Sequence, residues 1–124
     1  MKKNNFKTTL DDLSQSIKRL KSHEKIIYKS AEIMNKTFKK NKVIFCGNGG
    51  SAADSSHAAA EFVGRFFKKN RKALNAISLN ENNSSLTAIA NDFDYKYVFS
   101  RQLEGIGKKG DVLFAISTSG RSKN

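Results

Sequence analysis

The sequence contains no proline, so none of its loops can be placed by proline punctuation. It holds a single cysteine, Cys46, which excludes a disulfide framework within one chain and fits a reducing compartment. No apolar run approaches the roughly 20 residues of a membrane-spanning helix. The opening segment, MKKNNFKTTLDDL, is basic but lacks an apolar core and a small-residue cleavage site. It is therefore not a signal peptide. Internal repeats and low-complexity linkers are also missing. These absences leave a cytoplasmic protein as the expectation, with no membrane partner.

Acidic residues are few, 11 against 23 Lys and Arg, for a formal net charge of +12. Such a balance invites a nucleic-acid reading, but the basic residues are scattered. Their short clusters, Lys39-Lys40, Lys68-Lys69 with Arg71-Lys72, and Lys108-Lys109, fall where helices end or loops begin. Solvated helix ends favoured by the helix dipole account for them, and a nucleic-acid partner is not expected. A general positive field would still draw in anionic substrates. The 124 residues suffice for one domain, and 38% apolar content is slightly low, consistent with burial against partner subunits.

Thr9 and Asp12 resemble a capping box, after which Leu10, Leu13, Ile17 and Leu20 recur at helical spacing. A second helix is predicted over residues 23–40, with Ile26, Ile27, Ile33, Met34 and Phe38 on its apolar face and Asn41 as its stop. Residues 42–46 then form a short continuous apolar run, the pattern of a buried parallel strand. An Ala-rich helix is predicted over residues 52–66, a second strand over 73–79, helices over 83–91 and 95–106, and a third buried strand over 111–116. A further helix should begin after residue 117. This order indicates an α/β fold with a parallel sheet. Residues 1–41 form the amino-terminal helices and residues 42–124 a partial domain. The third strand leads into a loop and the sequence stops at Asn124. A chain truncated after its third strand is the expectation, inactive and poorly folded when produced alone.

Two loops carry the functional signal. In Cys46-Gly47-Asn48-Gly49-Gly50-Ser51, glycines permit a sharp turn and close backbone approach. The following helix offers free N–H groups to an anion, and Ser51 adds a hydroxyl donor. By itself this loop does not decide between a phosphate turn, a dinucleotide fingerprint of the G-x-G-x-x-A kind, with Glu81 as the ribose acid, and an unliganded turn. The second loop, Ser117-Thr118-Ser119-Gly120-Arg121-Ser122, holds four hydroxyls in six residues, more than one helix cap requires. Both follow strands, where open parallel sheets bind ligands. Together they favour phosphate over a dinucleotide.

His57 and Glu61 stand four residues apart, on one helix face. They suit either a partial zinc site or a general base, Glu61, oriented by an imidazole near the phosphate loop. An idle surface pair is the bland alternative. Asn91 and Asp92 read locally as a helix stop, with a substrate-hydroxyl contact as the alternative. Arg65 reads as solvated, with a phosphate or subunit contact as the alternative, Cys46 as an inert core thiol, and His23 as exposed and idle.

Residues 43–54, then His57 and Glu61, then Asn91-Asp92-Phe93, Gly110-Asp111-Val112-Leu113 and Ser117-Thr118-Ser119-Gly120 resemble, in order, the sugar isomerase (SIS) domain of the phosphoheptose isomerases. The resemblance runs from about residue 10 to the last residue. It implies a flavodoxin-like α/β fold with a helical amino terminus, a homotetramer, and conversion of D-sedoheptulose 7-phosphate to D-glycero-D-manno-heptose 7-phosphate. That conversion begins the supply of heptose for lipopolysaccharide and other surface glycans. Carried over by motif, Asn48, Gly49, Gly50, Asn91, Asp92, Ser117, Thr118, Ser119 and Ser122 contact substrate. His57 and Glu61 become ligands of one zinc ion per subunit, with Glu61 also the catalytic base. The family's remaining ligands, a Gln and a His that also serves as acid–base partner, have no match in this sequence. A related non-enzymatic branch binds the replication initiator and lacks the acid at the position of Glu61, and a sugar-phosphate-sensing module would keep only the serine loop. The presence of both His57 and Glu61 favours the enzyme.

Overall fold

A computed structural model describes residues 6–124. The chain divides into two compact units, Met1–Asn35 and Lys36–Asn124. In the first, α1 (Phe6–Leu20) is followed by a 3-10 turn (Lys21–His23) and by α2 (Glu24–Thr37). No glycine interrupts α1, and Lys18 and Arg19 occupy its last turn, where the dipole favours cations. Helix is already present at Phe6, so Thr9 and Asp12 lie inside it rather than forming the capping box expected at its start. No residue of α1 is buried, and Ile17 is 57% exposed.

The second unit begins where Thr37 is buried and the Phe38 ring meets Phe62, 5.0 Å between centroids. Its sheet contains β1 (Val43–Gly47), β2 (Ala76–Ser78) and β3 (Val112–Ile116), all parallel, in the order β2-β1-β3. Helices α3 (Gly50–Val63), α4 (Asn83–Asp92) and α5 (Ser100–Ile106) connect the strands. The region 95–106 is thus not one helix. A 3-10 turn at Tyr95–Tyr97, capped by Asp94, precedes α5.

Alternation along β1 divides the core between the two faces of the sheet. Ile44 and Cys46 join Leu79, Val98 and Phe99, against which Leu86, Ile89 and Leu103 pack. On the opposite face Phe45 meets Phe62 of α3 at 5.7 Å and Phe114 of β3 at 5.5 Å. Every residue of β1 is buried, whereas β3 has none. The third strand is therefore real but not buried as expected. It lies at the edge of the sheet order, and Leu113 and Phe114 remain exposed. Nor does a helix follow it among the described residues, because residues 117–124 form bends and open loop.

Asp111 ties the starts of β1 and β3 together. Its carboxylate accepts from the Lys42 N–H at 3.0 Å, the Lys42 Nζ at 2.6 Å and the Lys108 N–H at 2.8 Å. Burial pushes its pKa up, but the Lys42 ammonium and the two backbone donors pull harder. The carboxyl is held well below the usual range. Gly110 precedes it at φ +94°, where a Cβ would come within 2.9 Å of the Asn41 side chain. Only glycine fits both constraints.

Candidate functional site

The glycine loop leaves β1 at Gly47 and enters α3 at Gly50. A Cβ on Gly47 would lie 2.5 Å from the Ser51 carbonyl oxygen, so the turn closes only around glycine. Gly49 takes φ +57°. The first amides that the turn itself satisfies are those of Ser51, bonded to the Asn48 carbonyl, and Ala52, bonded to that of Gly49. The amides of Gly49 and Gly50 come before these, at the positive end of α3, which is the geometry of an anion cradle. Ser51 is buried in the first turn.

The serine loop closes on itself through its hydroxyl oxygens. Ser117 Oγ accepts from the Gly120 N–H at 3.0 Å, and Ser119 Oγ from the Arg121 N–H at 3.1 Å. Ser117 and Ser122 hydroxyls lie 3.4 Å apart, and Gly120 sits at φ +63°. Accepting from backbone orients the Ser117 and Ser119 hydroxyls, and a hydroxyl oriented in this way can still donate its hydrogen to an acceptor-only ligand such as phosphate.

The structure brings parts of these loops together, although Gly49, Gly50, Ser51, Thr118 and Ser119 do not line the shared cavity. Asn48, Ser117, Gly120, Ser122 and Asn124 line one cavity of about 350 Å³, whose floor is Cys46, Gly47 and Ile116. It opens at the carboxyl ends of the adjacent strands β1 and β3. The chain leaves β1 towards β2 on one side, while β3 lies on the other. That arrangement is a topological switch point, the place where open α/β sheets bind ligands. Burial pushes the Cys46 thiol up, so it contributes packing and not a thiolate.

Three residues around this cavity were not singled out by the sequence. Asn124 pairs with Asn48 amide to amide, at 2.9 and 3.0 Å. The Tyr95 hydroxyl donates to Asn48 Oδ1 at 2.9 Å. Asn80 holds the backbone of Gly47 from the β2 side. Nothing in the local pattern marks them, since Asn is common in any turn and the contacts span 33 to 76 residues.

His57 Nε2 and Glu61 Oε1 are 3.3 Å apart on the outer face of α3, with side chains 74% and 40% exposed. Two donors on a tetrahedral zinc with bonds of about 2.0–2.1 Å would stand roughly 3.3 Å apart, so imidazole and carboxylate fit half of a zinc set in chemistry and in spacing. No group of three potential ligands occurs among the described residues. The pair lines a second cavity, of about 610 Å³, with Phe62, Phe66, Phe67 and Leu74 as its apolar wall. Arg71 closes it, donating to the carbonyls of Glu61, Phe62 and Gly64 at the end of α3. Within one chain, then, the pair is not beside the glycine and serine loops. Glu61 lies roughly 16 Å along the helix from Gly50, at 1.5 Å per residue. Asn91 and Asp92 are exposed at the end of α4, bonded to each other at 2.8 Å, and line neither cavity. Arg65 lines the His57 cavity, while Glu81 is exposed beside β2.

The fold and its crevice define an open parallel α/β domain with a cavity at its topological switch point. The SIS domain family matches residues 9–124, and the chain belongs to that family. Its relatives include a phosphoheptose isomerase of Akkermansia muciniphila, 53% identical over 90% of this chain and 59% of that protein. One from Helicobacter pylori (strain P12) is 47% identical over 93% of this chain and 65% of its own length. The solved structure of phosphoheptose isomerase GmhA from Neisseria gonorrhoeae superposes with a TM-score of 0.77 at 40% identity, covering 95% of this chain and 63% of that one. The chain therefore spans about three fifths of the length of these proteins.

Proposed function

We propose that the chain belongs to a cytoplasmic phosphoheptose isomerase that converts D-sedoheptulose 7-phosphate to D-glycero-D-manno-heptose 7-phosphate, supplying heptose for lipopolysaccharide and related glycans. The observation that carries the reading is the convergence of the glycine and serine loops on one cavity, in a chain whose relatives bear that name at about half identity. No helix among the described residues is long and apolar enough to cross a membrane.

In this reading the hydroxyls of Ser117, Thr118, Ser119 and Ser122, with the amides of Gly49 and Gly50, hold the phosphate. Asn48 and Ser51 complete that end. Phosphate binding energy then orients the remote reacting carbons, and Asn91 and Asp92 contact sugar hydroxyls. Glu61 takes a proton from one carbon and returns it to its neighbour through an enediol. His57 Nε2 and Glu61 Oε1 would hold zinc, which supplies stabilisation of the developing oxyanion. A base must reach its proton within about 3 Å, while Glu61 and the loops line separate cavities. Assembly as a homotetramer is therefore part of the proposal, because neighbouring chains supply a route for one substrate to meet both sets of residues. The exposed apolar faces of α1 and α2 offer surface for such assembly.

The test is isomerase turnover of sedoheptulose 7-phosphate by the full-length protein and its Glu61→Gln variant. The amide keeps size and hydrogen bonding but is no base, so turnover should vanish while sugar-phosphate binding persists. Near-normal turnover in the variant removes Glu61 from the mechanism. Binding without turnover in the unchanged protein favours a sensing module instead.

A further inference from the structure

Hydrogen bonding along β1 alternates sides, as a parallel ladder requires. Its odd-numbered residues face β2: the Val43 N–H donates to the Asn75 carbonyl at 3.0 Å, and the Leu79 N–H to the Phe45 carbonyl at 2.9 Å. Gly47 is the next residue of that set, but β2 ends at Ser78 and supplies no further rung. The Asn80 side chain fills the place. Its Oδ1 accepts from the Gly47 N–H at 3.1 Å, and its Nδ2 donates to the Gly47 carbonyl at 2.9 Å. Asn80 is itself fixed, since its own N–H donates to Ser78 Oγ at 3.2 Å, which also receives Ser56 of α3. We propose that Asn80 is a positioning residue for the phosphate turn, a one-residue extension of β2 that sets where Gly47 holds the glycine loop.

Two facts make the position matter. Gly47 is buried, so its N–H and carbonyl have no ready solvent substitute if Asn80 is lost. It also packs against the first turn of α3 with no room for a Cβ, so movement of its backbone is passed directly to the amides of Gly49 and Gly50. Asn80 does not line the cavity, hence its effect is on geometry and not on contact.

The inference rests on the isomerase reading, and the test separates the two. Turnover of sedoheptulose 7-phosphate is measured for the full-length protein, Asn80→Ala and Asn80→Asp. If the unchanged protein neither binds nor turns over the sugar phosphate, the functional reading fails, and protection of the Gly47 amide from hydrogen exchange, lost in Asn80→Ala, reports on the positioning role alone. With turnover present, both variants should raise KM about tenfold near pH 8 with kcat nearly unchanged. In Asn80→Asp, an ionised carboxylate has no donor for the Gly47 carbonyl, but a protonated one restores the donor–acceptor pair. The KM of Asn80→Asp should therefore return towards that of the unchanged protein as the pH falls through that carboxyl's own pKa, about 3.9 when unperturbed and higher where it faces the buried Gly47 carbonyl, while that of Asn80→Ala does not. Should Asn80→Ala not melt cooperatively, the pH profile of Asn80→Asp carries the comparison by itself. A KM within twofold of the unchanged protein in both variants, or a fall in kcat with no KM shift, overturns the proposal. So does an Asn80→Asp variant whose KM does not respond to pH.

Discussion

β1 and β3 carry nearly the same kind of sequence, Val-Ile-Phe-Cys-Gly and Val-Leu-Phe-Ala-Ile, and each delivers a small-residue loop to the same cavity. Their surroundings differ. Phe45 is 2% exposed, and its partner in register, Phe114, is 39% exposed. An apolar run thus encodes a strand, whereas burial is conferred by neighbours. β1 has a strand on each side and helices on both faces, while β3 has only β1 beside it among the described residues. The site straddles this boundary. Its glycine loop hangs from a strand buried throughout, and its serine loop from a strand with no buried residue.

The largest expected effect sharpens this contrast. Ile44 is fully buried and Leu113 opposite it is 44% exposed. Ile44→Ala should cost about 2–5 kcal/mol in denaturant unfolding, and Leu113→Ala roughly 1 kcal/mol or less. Equal costs would mean that β3 is covered in the assembled protein.

Next comes the tie between the two strands. Lys42→Met leaves Asp111 with its two backbone donors and the long Asn41 Nδ2 contact at 3.4 Å, and should cost about 1.5–3 kcal/mol near neutral pH. The sign of the pH dependence follows from the lowered Asp111 pKa. Unfolded, Asp111 takes up its proton near about 3.9; folded, it does so only at lower pH. Its contribution is fully present above about pH 4 and is lost as the pH falls below that value. Acid titration of unfolding free energy checks this. The unchanged protein should lose more stability below about pH 4 than Lys42→Met does.

The smallest effect belongs to Tyr95→Phe, which removes one hydroxyl from Asn48 in an exposed setting. Stability should shift by under about 1 kcal/mol, and sugar-phosphate affinity weaken about threefold. An unchanged affinity would show that Asn124 alone orients Asn48.

Much of the second unit was legible because its signals are local. The run at residues 42–46 and the glycine cluster after it fix a strand and a tight turn, since few other conformations accept them. Hydroxyl density at residues 117–122 marked the second loop for the same reason. Burial of β3 was not legible, because an apolar run does not say how many neighbours a strand has. The separation of Glu61 from the glycine and serine loops was equally hidden. Residue spacing places His57 and Glu61 on one face of α3 but does not say which cavity that face lines. Asn80, Tyr95 and Asn124 act across more than 30 residues of sequence, and their residue types are ordinary for turns. In the first unit, the apolar spacing of Leu10, Leu13, Ile17 and Leu20 correctly gave a helix. It gave no burial, since all four remain exposed.

Two loops at the ends of β1 and β3 are proposed to form one phosphate site. Calorimetric titration of the full-length protein with sedoheptulose 7-phosphate and with unphosphorylated sedoheptulose tests it most directly, alongside the Ser117→Ala, Ser119→Ala double variant. The unchanged protein should bind the phosphorylated sugar at least about a hundredfold more tightly, and the double variant should lose most of that preference, as removal of two hydrogen bonds to a charged group requires. Equal affinity for the two sugars, or an undiminished preference in the double variant, would contradict it.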